Sequence, residues 1–369
     1  MADERIEKLA DLLVNYSVEV KAGQEVFIRG SSIAEPLLQA VYIKVLQAGG
    51  NPWLSISYPG QGADLFRYAN DQQLQYVPKP YQYIYEHYDV LIDLLSESNT
   101  RELNRVDPQK MVLRHQAFEG NMKTLLKRAA NREMRWTLSL FPTQAYAQDA
   151  DMSLSEFEDF VYQACMPDRN DPIGYWKRFS ARQQKIVDWL NGKQTIHVIG
   201  PETDLRMNVS GRTFINCDCH ENVPDGEVLT GPVEDSMEGH VVFSYPAITG
   251  GREIAGVRLW FDKGKVVKAT ADKNEDYLLK TLDTDEGARR VGEFAIGTNE
   301  GITRFTREIL FDEKIGGSFH IAVGSGLPET GSLNQSAIRW DMICDLRHGG
   351  QIWADDQLLY ENGHFTLDL

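Results

Sequence analysis

Positive charge is in short supply: 38 lysines and arginines stand against 54 aspartates and glutamates, for a net charge of −16. A field of that sign repels phosphates and argues against nucleic acid as a partner. No run of roughly 18 apolar residues occurs, so no membrane-spanning helix is expected. The opening MADERIEKLADLL is charged and amphipathic and lacks the apolar stretch of a secretory signal. Cysteine is scarce, with four in 369 residues and no C-x-x-C. That usage points to a reducing, cytoplasmic compartment. Cys217 and Cys219 form a C-x-C pair, read as two unrelated thiols on one strand face because no second pair completes a zinc site. Neither G-x-G-x-x-G after the first strand nor G-x-x-x-x-G-K-[ST] is found, so nucleotide binding by those devices is unsupported. The eight histidines are scattered and form no H-E-x-x-H. A metal site would have to be assembled from separate segments.

What is present is an alternation of helix and strand patterns in the first half. Ile6, Leu9, Leu12, Leu13 and Tyr16 recur at helical spacing. EVFIRG, NPWLSIS, DVLIDLLSE and RWTLSLFPT read as strands, with AEPLLQAVYIKVLQAGG and DPQKMVLRHQA as helices between them. This order predicts βαβ units and a mostly parallel sheet. SLSEFEDFVYQACM carries Ser153 and Glu156 at capping-box spacing, and an amphipathic helix then runs to Gly192. The texture changes there. TIHVIG, DLRMNVSG, RTFINCD, HVVFSYP and GVRLWFDKGKVVKATA are short β patterns, interrupted by one helical segment, NEDYLLKTLDTDEGARRVGEFA. The expected organisation is an α/β domain over 1–192 and an α+β domain, rich in antiparallel strands, over 193–369.

Four positions in the second part carry chemistry. Glu227 follows a Pro-Asp-Gly turn, a place where an acid is ordinarily solvated surface. Glu293 sits among Val291, Phe294, Ala295 and Ile296, where a carboxylate needs a partner or a metal unless its strand turns it to water. His320 lies in SFHIAVG, the pattern of a satisfied core histidine or of a ligand. In SAIRWDM, Arg339 and Asp341 are two apart and share a strand face. Carboxylates and imidazole are donors that Zn, Co or Mn accept.

At these residues the chain resembles the aminopeptidase T and aminopeptidase S family of two-metal, leucyl-type aminopeptidases. The resemblance runs through KLADLLVNYSVEVKAGQEVFIRG, FPTQAYAQDADMSLSEFEDFVYQAC, PDGEV, GEFAIGTN and PETGSLNQSAIRWDM. It implies an N-terminal α/β domain, a C-terminal catalytic domain, a homodimer and a peptide substrate. It also implies metal-ligand roles for Glu227, Glu293, His320 and Asp341. Two positions depart from the pattern: Arg339 stands where the family has a ligand histidine, and Leu327 where it has a tyrosine thought to assist catalysis. Both fall on the implied active site with Glu227 and Glu293. A guanidinium brings charge but no lone pair. The readings that follow are an aminopeptidase with one or two ions, a non-catalytic binding or structural descendant holding none, and a ring-cleaving dioxygenase with a single iron on the same scaffold. His348, His220 and His240 are remoter candidates for a substitute ligand.

Overall fold

The computed structural model describes residues 3–249 and 251–367, which leaves Met1 and Ala2 of the charged opening outside. The chain forms two compact units, one of Met1–Tyr175 with Cys219–Pro224, the other of Trp176–Asp218 with Asp225–Leu369.

In the first unit the expected strands form a parallel sheet: β1, Glu25–Ser31; β2, Asn51–Ser57; β3, Val90–Leu95; and β4, Arg135–Leu140. Their spatial order is β2-β1-β3-β4, with the short segment Asn222–Val223 pairing parallel to β4 at the edge. β1 is apolar on both faces, burying Val26, Phe27 and Ile28, as a strand covered on both sides must be. Its arginine, Arg29, pairs across the sheet with its register partner Asp93. The helix Glu4–Leu12 begins where Asp3 accepts from the Arg5 amide. Ser153 and Glu156 form the predicted capping box on the helix Leu154–Cys165. The helix read from DPQKMVLRHQA extends over Pro108–Ala130, twice the predicted length, because Asp107 caps it and nothing breaks it before Asn131. It buries little beyond Leu125, so its apolar signal is faint.

The second unit is antiparallel. One sheet of eight strands runs from Lys265–Thr270 at one edge to His364–Phe365 at the other. A sheet of five is ordered Arg339–Asp345, Ser318–Gly324, Val291–Gly297, Glu227–Thr230, Ile215–Cys217. Val198, Leu205 and Leu259 of the first sheet share a core with Phe294, Phe319 and Ile321 of the second. Each such side chain contributes about 1.5–3 kcal/mol when buried. The DKGK turn is as predicted, with Lys263 and Gly264 both at positive φ between paired strands. Two expectations fail. The segment from Asn274 is α-helical only over Glu275–Leu282, with one 3-10 turn at Gly287–Arg289, and its VGEFA end is strand; the sheet ladder outweighs the local pattern. Cys217 ends its strand, while Cys219 lies beyond it at φ +72°, so the two thiols do not share a strand face.

Candidate metal centre

The five-stranded sheet has one apolar face and one charged face, and alternation assigns every site residue to the second. Phe294 and Ile296, Phe319, Ile321 and Val323, and Trp340, Met342 and Cys344 point into the core. Glu293, His320 and Asp341 are out of phase with them and point the other way. Register then sets their neighbours. Ala322 lies opposite both Glu293 and Asp341, Gly324 opposite Arg339, Ala295 opposite His320 and Gly297 opposite Glu227. The small residues of H-x-A-x-G thus leave open the space into which the charged side chains reach. Glu293 is on a strand of the predicted alternation, but its face is not wet: the residue is 1% exposed.

The turn before Glu227 is held from several sides. Gly226 has φ +119°, and a Cβ there would lie 2.9 Å from Asn299 Cβ, so glycine is required. Asn299 Nδ2 donates to the Asp225 carbonyl at 2.7 Å, and Gln183 Nε2 donates to the carbonyls of Glu227 and Cys217.

His320 is the hub. Its Nε2 lies 3.2 Å from Glu293 Oε1, 3.7 Å from Glu227 Oε2 and 3.9 Å from Asp341 Oδ1. Its Nδ1 donates to the Glu313 carbonyl at 2.9 Å, which fixes the tautomer and leaves Nε2 as the coordinating atom once the ring is neutral. Arg339 Nη2 donates to Glu293 Oε2 at 2.7 Å. Burial opposes charge throughout, and partners decide the outcome. Burial would raise Glu293, but the His320 hydrogen bond and the Arg339 charge bring it down to about 2. Burial would lower His320, but Glu293, Glu227 and Asp341 raise it to about 9. Burial lifts Glu227 to about 7 against the pull of Lys314. Asp341 rises to about 6 through burial and the Glu313 charge.

Ligand atoms of Glu293, His320 and Asp341 all lie within 4.8 Å of one another. Glu227 falls instead in a second trio with Cys217 and Asp225, at the same spacing. Lys314 attends that second trio. It is 0% exposed, pairs with Glu313, and places Nζ 4.0 Å from Glu227 Oε1. Burial works against its charge, but Glu313, Glu227 and Asp225 raise its pKa. Burial, then Asp225 and Glu227, push the Cys217 thiol well up, so it stays protonated. Lys314, Glu313 and Asp225 were not singled out from the sequence. A lysine inside ILFDEKIGG carries the signal that marked Glu293, a charge within an apolar stretch.

Leu327 opens the turn Pro328–Thr330, three residues past Gly324; its carbonyl accepts from Thr330 and its side chain offers no donor. His348 is exposed beyond the last site strand, and His240 lies in the eight-stranded sheet. His220 belongs to the first unit, with its ring 4.7 Å from that of Tyr16. None of the three joins a metal-binding group among the described residues.

Two buried carboxylate oxygens, Glu227 Oε2 and Asp341 Oδ1, have no hydrogen-bond partner. Burying a carboxylate oxygen without a donor is costly, and a divalent cation relieves that cost. The Glu293–His320–Asp341 trio therefore fits a metal ion, and two carboxylates with one imidazole suit Zn, Co or Mn, with Glu227 beside them.

A parallel α/β unit joined to an antiparallel unit with a buried carboxylate–imidazole cluster defines a metalloenzyme scaffold. The chain belongs to the thermophilic metalloprotease (M29) family, whose model matches residues 2–365. It is 28% identical over 353 residues to aminopeptidase T of Thermus thermophilus, covering 88% of this chain and 85% of that relative. It is 25% identical over 368 residues to aminopeptidase 2 of Geobacillus stearothermophilus, covering 88% and 84%. Among solved structures, wild-type AmpT from Thermus thermophilus matches with a TM-score of 0.86 at 23% identity, over 98% of this chain and 99% of that one. The 2,5-dihydroxypyridine dioxygenase of Pseudomonas putida KT2440 shares the fold at a TM-score of 0.61 and 14% identity, over 98% and 96%.

Proposed function

We propose that this chain is a metal-dependent aminopeptidase that removes N-terminal residues from peptides using one divalent ion. The Glu293–His320–Asp341 trio carries the reading: its ligand atoms converge, and Asp341 Oδ1 is buried without a donor. The count of one rests on the two protein cations, because Arg339 bonds Glu293 and Lys314 attends the second trio. An ion bound by the trio would polarise the scissile carbonyl and lower the pKa of water. His320 presents Nε2, held in orientation by the Glu313 carbonyl. Glu227 Oε2, left without a donor, accepts the proton of the attacking water and returns it to the leaving amine. Arg339 holds Glu293 through Nη2, and its remaining N–H groups are available to a developing oxyanion. Leu327 supplies no such donor, a loss that typically costs about 10²–10³ in rate.

The family relationship supports the peptidase chemistry, and the resemblance supports a homodimer. The four cysteines, present as thiols, are consistent with a cytoplasmic location. The Arg339–Glu293 bond also favours a second reading, a descendant that binds peptides without cleaving them. The test is release of leucine from a chromogenic leucine amide. Turnover that appears with zinc, cobalt or manganese, and is lost in Glu227→Gln, is the expected result. Metal uptake without turnover on any peptide would move the assignment to the second reading.

A further inference from the structure

A cleft of about 700 Å³ opens at the C-terminal ends of β1, β2 and β3, lined by Ser31, Ser57 and Ser96 just at or after those strands. Its position is determined by topology. With parallel strands ordered β2-β1-β3-β4 and right-handed crossovers, the connections leaving β1 and β3 run to opposite faces of the sheet. Sheets of this type bind ligands in the crevice that results.

The chemistry of this crevice is unusual for its position. A Pro-Gly-Gln-Gly loop, Pro59–Gly62, opens the helix Gln61–Tyr68 there, in the manner of a phosphate cradle. Yet Glu102 fills the approach: a Cβ added at Gly62 would lie 3.2 Å from its Oε1. Asp64 and Glu97 also line the cleft, and the one cation in the lining, Arg114, donates through Nη1 to the carbonyls of Leu74 and Tyr76. Burial raises the Glu97 pKa, and the neighbouring Glu102 and Asp149 charges add to it. Tyr58 presents an exposed ring at the same cleft, a surface that attracts cations, with its hydroxyl donating to Asp64; the neighbouring Tyr68 ring already carries the Arg67 guanidinium 5.2 Å from its centroid. Ser96 provides an independent sign of a missing ligand. It is 7% exposed, lines the cleft, and its Oγ has no hydrogen-bond partner.

We propose that this cleft binds a small organic cation, an amine or guanidine, through the carboxylates of Glu97, Glu102 and Asp64, the Tyr58 ring and the Ser96 hydroxyl. The site belongs to the first unit and does not depend on the peptidase reading. The test is calorimetric titration of the full chain with L-arginine, L-lysine, the uncharged side-chain analogue L-norleucine, and inorganic phosphate. L-Arginine or L-lysine should bind at least about tenfold more tightly than L-norleucine. That binding should weaken at least about tenfold in Glu97→Gln/Glu102→Gln and persist in Glu293→Gln, which disables the metal cluster. Ser96→Ala, a change without charge, should weaken it without lowering the melting temperature, since the hydroxyl it removes has no partner. Equal binding of L-norleucine, preference for phosphate, no binding of either cation, or loss on Glu293→Gln would each overturn the proposal.

Discussion

Lys314 and Arg339 both bring positive charge to the carboxylate cluster, under different constraints. Lys314 has no exposed surface and is shared by Glu313, Glu227 and Asp225. Arg339 starts its strand with a side chain 34% exposed and bonds one carboxylate oxygen, on Glu293. A buried ion whose partners are also buried cannot be removed without stranding their charge. A cation open to water can leave and let solvent take its place. The comparison indicates that Lys314 is built into the fold, whereas Arg339 is an adjustable feature of the site.

The largest expected effect follows from removing the buried member. Lys314→Met should destabilise the metal-free protein by about 3–5 kcal/mol in urea unfolding, the usual result of breaking a buried pair from one side. Zinc should restore part of that loss, because the Cys217–Asp225–Glu227 trio then lacks its resident cation. Next is the exchange at the open end. Arg339→His with Leu327→Tyr should raise bound metal from one ion to two and increase leucine-amide turnover by about 10²–10³. If neither rises, Arg339 does not stand at a ligand position.

The pH dependence separates the cluster from its metal. In the metal-free protein the His320 pKa is raised from 6.5 to about 9, so its contribution is complete below 6.5 and is lost as pH climbs through 9. Glu227 and Asp341, raised to about 7 and about 6, act in the same direction: their folded forms hold protons that the unfolded chain releases. The metal-free melting temperature should therefore fall between about pH 5 and 9, and bound zinc should flatten the decline. The smallest effect is Arg339→Met, expected to cost clearly less than Lys314→Met, because Arg339 is itself 34% exposed and Glu293 keeps its contact with His320. A loss as large as that of Lys314→Met would erase the distinction between the two cations.

Much of this arrangement was legible in the sequence. NPWLSIS is a strand over the predicted span, Ser153 and Glu156 close their capping box, and Arg339 and Asp341 share a face because alternation in a strand is local. The ligand types and the PDG turn were visible for the same reason. What escaped depends on long-range packing. Glu293 was an even choice between a wet and a buried face, and only the coverage of the charged side of the sheet decides it. Lys314 looks like a surface residue until its ammonium is placed against Glu227, which lies 87 positions earlier in the numbering. The helix Pro108–Ala130 was cut short because it buries so little that periodicity barely marks it.

The most direct test of the central claim is metal content per chain, measured by mass spectrometry on untagged protein re-equilibrated with zinc or cobalt. One ion per chain, lost in Asp341→Asn, is the predicted result. Two ions would show that Arg339 and Lys314 do not take the place of the second ion, and none at saturating metal would show that Arg339 closes the site.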